Sequence, residues 1–206
     1  MGGIKIFDKY YNQYDRWFKE NESIYLSELN AIKHFIPKNK KGLEVGVGTG
    51  RFAGRLGIKY GIEPSKQMAK IAIQRGIKVF KGVAEKLPFE DESFEFLLFV
   101  TTFCFIRNVS KALKEARRVL KRNGFIVIGF LDKSSELGKE FLKKRKNSKF
   151  YIEANFYSTE KVIELLEMAG FHDFSLLQTV FNKENKYQKF KKGFGKGLFV
   201  VVKAVK

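Results

Sequence analysis

The residues best suited to chemistry stand in Leu43-Glu44-Val45-Gly46-Val47-Gly48-Thr49-Gly50, where an apolar strand pattern runs into Gly-x-Gly-x-Gly at a helix start. Glycine suits such a turn because the backbone bends tightly and a Cβ would hold a ligand away from the main-chain amides. A dinucleotide fingerprint would place another glycine three residues after Gly48. Arg51 stands there instead, which disfavours a pyrophosphate. The turn also lacks the Gly-Lys-Ser/Thr of an ATP-binding P-loop. Glu63 ends the next apolar run, 13 residues after Gly50. A carboxylate at that place accepts hydrogen bonds from two vicinal ribose hydroxyls. Turn and acid together point to an adenosine ligand without a pyrophosphate.

The elements that must position them follow from periodicity. Short apolar runs alternate with helix-type patterns, which argues for a largely parallel sheet with helices on both faces. Strands are expected at Gly42–Val47, Ile58–Glu63, Ile77–Lys81, Phe94–Val100, Phe125–Phe130, Phe174–Thr179 and Leu198–Val202. The last two read as an antiparallel hairpin. Between them lie helices from about Thr49 to Leu56, from Ser65 to Gly76, from a Ser110 cap to Asn123-Gly124, from Ser135 to Lys146, and from Ser158 to Gly170. The first 36 residues read as two helices, the second ending before Pro37. Tyr10, Tyr14 and Trp17 share one face of the first. The expectation is a doubly wound α/β fold: a seven-stranded, mostly parallel sheet with a terminal antiparallel hairpin.

Four stretches carry a resemblance to a known family. They are Leu43 to Gly50; Gly61-Ile62-Glu63-Pro64-Ser65 with Met68; Gly82-Val83-Ala84-Glu85-Lys86-Leu87-Pro88-Phe89 running on to Phe94; and Ala112 to Gly124. Over roughly residues 40–175, in order and spacing, the chain resembles the class I S-adenosylmethionine-dependent methyltransferases, in their Methyltransf_11-like, small-molecule branch. That resemblance implies a Rossmann-like core over residues 38–206, an N-terminal helical lid over residues 1–37, and a single methyltransferase domain over 1–206. It implies S-adenosylmethionine as cofactor and S-adenosylhomocysteine as product. The backbone at Gly46 and Gly48 would hold the methionine part, with Glu44 ordering its ammonium end. Glu63 would take the ribose, Pro64 would flank the adenine, Ala84 and Glu85 would meet the adenine edge, and Thr101 the methionine part. Val83 stands where the family usually has Asp, and Cys104-Phe105 replaces a frequent histidine pair. No general base is assigned on this basis. Methyltransferases of this shape resemble one another in covering the site with N-terminal helices, which makes Tyr10, Tyr14 and Trp17 lid candidates. Cys104 is a further substrate-side candidate, read otherwise as a small buried hydrophobe.

Composition bounds the rest. The chain has 206 residues, 44% of them hydrophobic and 15% aromatic, enough for a real core. One cysteine excludes an internal disulfide and any multi-cysteine metal site, and suits a reducing, cytoplasmic setting. No apolar run reaches membrane-spanning length, and no leader peptide is visible. The only prolines are Pro37, Pro64 and Pro88, so the Asn/Asp-Pro-Pro-aromatic motif of amino-methylating nucleic-acid enzymes is missing. No acidic residue lies between Phe96 and Lys114, where metal-dependent catechol-type enzymes gather carboxylates. A metal-independent methyl transfer to oxygen, nitrogen or carbon of a small molecule remains. The net charge of +18 keeps a second reading open: an RNA-associated protein, or an RNA methyltransferase, using Lys143-Lys144-Arg145-Lys146 with Lys149, and the stretch Lys183 to Lys196.

Overall fold

The computed structural model describes residues 2–145 and 148–206. Lys146, part of the first basic run, falls outside them. Two helices, α1 (Gly2–Glu20, bent at Tyr10) and α2 (Glu22–Lys33), precede the sheet. There follow β1 (Gly42–Val45), α3 (Arg51–Leu56), β2 (Tyr60–Ile62), α4 (Lys66–Gln74), β3 (Lys78–Phe80) and β4 (Phe94–Val100). The second half holds α5 (Val109–Val119), β5 (Leu120–Leu131), α6 (Glu136–Lys144), α7 (Thr159–Met168), β6 (His172–Thr179), β7 (Lys191–Lys192) and β8 (Phe199–Val205).

These strands form one sheet in the order β3-β2-β1-β4-β5-β8-β6-β7. Strands β1 to β5 pair in parallel, while β8 runs antiparallel to both β5 and β6. Period-2 alternation divides the central strands between two cores. Leu97 and Phe99 of β4 join α5 and α7 through Leu113, Ala116, Val162 and Leu166. Phe96, Leu98 and Val100 turn to the other face and meet Tyr25, Leu29 and Ile32 of α2 and Phe52 of α3. Strand order reverses between β1 and β4, so their carboxyl ends part and open a crevice there. The glycine turn leaves the end of β1 and Thr101 leaves the end of β4. The fold thereby puts both at one place.

Several expectations are corrected in detail. Among the described residues the sheet has eight strands, not seven: Lys191 and Lys192 pair with Gln178 and Leu177 inside the basic connection. A two-residue strand exposed on both faces leaves no alternation to read. Helix α3 starts at Arg51 rather than Thr49, because Gly50 before it is left-handed. The cap of α5 is Asn108, whose side chain accepts a hydrogen bond from the Lys111 amide, and not Ser110. That helix ends at Val119, and the chain passes directly into β5. Asn123-Gly124 instead lies within an irregularity of β5, where the partner of β4 jumps from Leu120 at Phe94 to Phe125 at Phe96. Ser65 caps α4 as the sequence suggested, and Ser135 and Ser158, expected as helix starts, cap α6 and α7, each accepting an amide of the first turn.

Candidate active site

The glycine turn is bound to the acid that follows it. Glu63, 7% exposed, accepts the Gly48 amide on one carboxylate oxygen and the Ser65 amide on the other, each at 2.9 Å. Burial pushes its carboxyl up to about 7 even though those two amides pull it down. Gly48 has φ +55, and the nearest atoms to a Cβ there would be the Tyr14 hydroxyl at 3.5 Å and the Met68 methyl at 3.6 Å. Gly46 has φ +74 and faces a closer neighbour: a Cβ would stand 2.4 Å from the Thr102 side chain. Both positions need glycine for conformation, and Gly46 also for space. Pro64 is half-buried beside Glu63.

The other cofactor-side candidates are already engaged. Glu44 is 2% exposed and accepts the Ala53 amide at 2.8 Å, at the amino end of α3. Burial holds its carboxyl well above the usual range. Ala84 is packed into the core, and Glu85 accepts the amides of Arg107 and Asn108 at the entry to α5. Thr101 has φ +48 and donates its amide to the Gly129 carbonyl. It is Thr102, unmarked in the sequence reading, whose hydroxyl donates to the Gly46 carbonyl at 3.3 Å. Cys104 donates its thiol to the Thr101 carbonyl, and burial pushes that thiol up to about 12, so it stays protonated. It lines a cavity with Thr101, Phe130, Tyr151 and Phe156 that has a volume of about 10 Å³, room for one water.

Helix α1 lies across this crevice and is fastened at two points. Asp8 accepts the Ser65 hydroxyl at 2.6 Å and the Gln67 amide at 3.1 Å, at the start of α4. Asp15 accepts the Thr49 hydroxyl at 2.7 Å and both Arg51 and Arg75 through paired guanidinium contacts. Between the two, Tyr14 reaches over Gly48. Tyr10 sits at the bend and takes Lys149 over its ring, at the edge of Phe150. Trp17 does not join them: it is 40% exposed and touches Phe18 edge-on, and Phe18 is the residue that faces the core. The sequence reading missed Phe7, which packs against Tyr14, Phe105 and Phe150. Its place seven residues before Tyr14, with Phe18 four after, was the available signal. Neither histidine is near the turn: His34 packs on Phe35 and Phe190, and His172 pairs with Asp173 at the surface.

Electrostatics sets this region apart from the molecule around it. The chain as a whole is strongly basic. Yet the Tyr14 phenol is held above its ordinary value by burial, and then by the charges of Glu44, Glu63, Glu28 and Asp15. Burial disfavours the charged form of these carboxyls, and a cationic neighbour would restore it, which suits a cationic ligand that also presents hydroxyls. Of the two basic stretches, the first reaches Tyr10 through Lys149, and the second begins at Lys183, which pairs with Glu140 of α6. Among the described residues no helix is long and apolar enough to cross a membrane.

Comparison with known proteins agrees with this geometry. Residues 43–128 match the family described as a methyltransferase domain. Over 98% of this chain and all of the other, it is 50% identical to a protein of unassigned function from Methanocaldococcus jannaschii. A demethylmenaquinone methyltransferase of Bacillus licheniformis is 32% identical across 59% of each chain. The solved structure of a SAM-dependent methyltransferase from Thermotoga maritima, described as a possible histamine N-methyltransferase, superposes with a TM-score of 0.95. It is 47% identical and covers 98% of this chain and 99% of that one. Turn, acid, strand order and likeness over nearly the whole length agree: the chain belongs to the S-adenosylmethionine-dependent methyltransferases.

Proposed function

We propose that the protein transfers a methyl group from S-adenosylmethionine to oxygen, nitrogen or carbon of a small molecule in the cytoplasm, without a metal. In this reading it acts as one domain, residues 1–37 closing over a core of 38–206. The observation that carries the reading is Glu63, tied by two amides to the glycine turn and to the cap of α4. Its remaining lone pairs are suited to accept the two ribose hydroxyls. Gly46 and Gly48 would seat the methionine part, and Pro64 would lie along the adenine. The cofactor, when bound, supplies a methyl group on a positively charged sulfur, a leaving group already activated. What the chain must add is alignment and exclusion of water. Tyr14 over Gly48 and the Phe7, Phe105 and Phe150 rings are suited to the second task.

Titration calorimetry with S-adenosylhomocysteine tests it. Hydrogen bonds to a charged acceptor are worth about 1.5–3 kcal/mol each, so Glu63→Ala is expected to weaken binding by at least about tenfold. Gly48→Ala introduces a Cβ that meets no protein atom closer than 3.5 Å, so its effect on folding is confined to the strained φ. It should nevertheless weaken the ligand at least as much as Glu63→Ala. Unchanged affinity in both variants would remove the turn and the acid from the cofactor site.

A second reading, RNA as partner or methyl acceptor, is favoured by the ion pair of Lys183 with Glu140, which brings the start of one basic stretch to α6, the helix that carries Lys143 and Lys144 of the other. It expects RNA retention on filters that falls steeply between low and moderate salt. No retention at low salt would dispose of it.

A further inference from the structure

The fastening of α1 at Asp8 leads, bond by bond, to the acid of the crevice. Both of its contacts fall on one carboxylate oxygen, Oδ1, which accepts the Ser65 hydroxyl at 2.6 Å and the Gln67 amide at 3.1 Å. Ser65 is 1% exposed, and the single proton of its hydroxyl goes to Asp8 while its oxygen accepts the Met68 amide at 3.3 Å. The Ser65 amide donates to Glu63 Oε1 at 2.9 Å, and Glu63 Oε2 accepts the Gly48 amide at the same distance. A continuous relay therefore runs from Asp8 through Ser65 and Glu63 to Gly48. The bend at Tyr10, with φ −113° and ψ 23°, divides α1 into two halves. Asp15 fastens the second half to Thr49, Arg51 and Arg75. Asp8 fastens the first, together with the ring contacts of its neighbour Phe7 on Phe105 and Phe150.

A buried hydroxyl bonded on two sides fixes the residue that bears it, and linked hydrogen bonds of this kind act as a unit. We propose that Asp8 is a positioning residue for Glu63. By holding Ser65 it keeps the Glu63 carboxylate turned so that its free lone pairs meet both ribose hydroxyls at once. The inference rests on the cofactor reading above and extends it to α1. Closure of the first half of the helix and occupation of the ribose site become one equilibrium. Ribose on Glu63 steadies Ser65, Ser65 steadies Asp8, and Asp8 holds Phe7 against Phe105 and Phe150. By linkage, each event favours the other by the same factor. The aromatic wall that excludes water is thereby fastened most firmly when the cofactor is in place. The charge of Asp8 is not what the relay uses: both bonds fall on one oxygen, and an asparagine side chain carries an equivalent one.

Two measurements test it, and neither needs a known acceptor. In calorimetry with S-adenosylhomocysteine, Asp8→Ala should weaken binding by about fivefold or more, and Asp8→Asn should stay within about twofold of the wild type. In a Glu63→Ala background the Asp8→Ala change should shrink to within about twofold, because the residue it acts through is gone. In the ligand-free protein, hydrogen exchange followed by NMR should show the Gly48 amide, which donates to Glu63, opening about tenfold faster in Asp8→Ala than in the wild type. The Gly50 amide, which donates to the Val47 carbonyl at 2.8 Å in the same turn, should be unchanged, which also shows that the variant is folded. Unaltered exchange at Gly48, a loss in Asp8→Asn as large as in Asp8→Ala, or a full Asp8→Ala effect in the Glu63→Ala background overturns the proposal. Equal acceleration at Gly48 and Gly50 overturns it too, because Asp8 then only keeps α1 over the turn. If S-adenosylhomocysteine fails to bind the wild type, the cofactor reading is what fails, and the exchange at Gly48 still decides for or against Asp8.

Discussion

In Asp15→Ala the folded state is expected to lose about 2–4 kcal/mol, somewhat less than the roughly 3–5 kcal/mol typical of a fully buried ion pair deprived of one partner. For a chain of this length, that is a fall in Tm of roughly 5–15 °C by calorimetry. The reason is local. Asp15 is the single carboxylate facing two guanidiniums, Arg51 and Arg75, and the side chains of all three are largely buried. Its removal leaves two like charges without a counter-ion in a protein that already carries +18. Burial would push the Asp15 carboxyl up, but the hydrogen bonds from Arg75, Arg51 and Thr49 outweigh it and hold it well below the ordinary carboxylate range. A depressed value in the fold means stability that is present above the unfolded value and lost as pH falls through the folded one. The gap between wild type and Asp15→Asn should therefore be full at pH 7 and close under strongly acid conditions. A gap that does not narrow on acidification would assign the loss to packing and not to the ion pairs.

The same carboxylate couples stability to the crevice. Asp15 follows Tyr14, and Tyr14 lies over Gly48, so freeing α1 at this point uncovers the turn. Asp8 holds the other side of the crevice through Ser65, which keeps α1 attached when Asp15 is lost. Faster release of S-adenosylhomocysteine, beyond what the equilibrium loss of affinity requires, is the accompanying kinetic signature.

How much of this was legible in the sequence depended on the range of the interaction. Strands β1, β2 and β4 and the serine caps are local patterns of apolar alternation and short polar side chains, and the reading placed them within a few residues. Gly46 and Gly48 were legible because a left-handed backbone restricts what can stand there, and Glu63 because it ends the apolar run after the turn. Asp8, Asp15 and Thr102 were not: each acts on a residue at least 34 positions away, and nothing in its own neighbourhood marks it. Trp17 and Phe18 show the limit of helical periodicity. A stripe drawn through Tyr10, Tyr14 and Trp17 is one residue out of phase with the face that packs, because the helix bends at Tyr10 and its inward face runs through Phe7, Tyr14 and Phe18. Glu28 was invisible for a further reason. An acid in a helix reads as a solvated surface residue, and only the burial of α2 against the sheet shows otherwise.

Glu28→Gln should therefore be more stable than the wild type, and increasingly so as pH rises. Burial raises the Glu28 carboxyl from 4.5 to about 8. A group raised in the fold contributes fully below its unfolded value, and that contribution is lost as pH rises through the folded value. At pH 4 the two proteins carry the same neutral side-chain charge and should unfold alike. By pH 9 the wild type must hold an ion that water would solvate better, a penalty with a ceiling of about 5 kcal/mol. Glu63, raised to about 7, and Glu44 push in the same direction, but they do so in both proteins and cancel in the difference. Denaturant unfolding at pH 4, 7 and 9 reads the effect directly. Equal stability at all three would show that Glu28 finds a counter-charge in the fold. A variant that gains stability in this way identifies a residue retained against the interest of the fold.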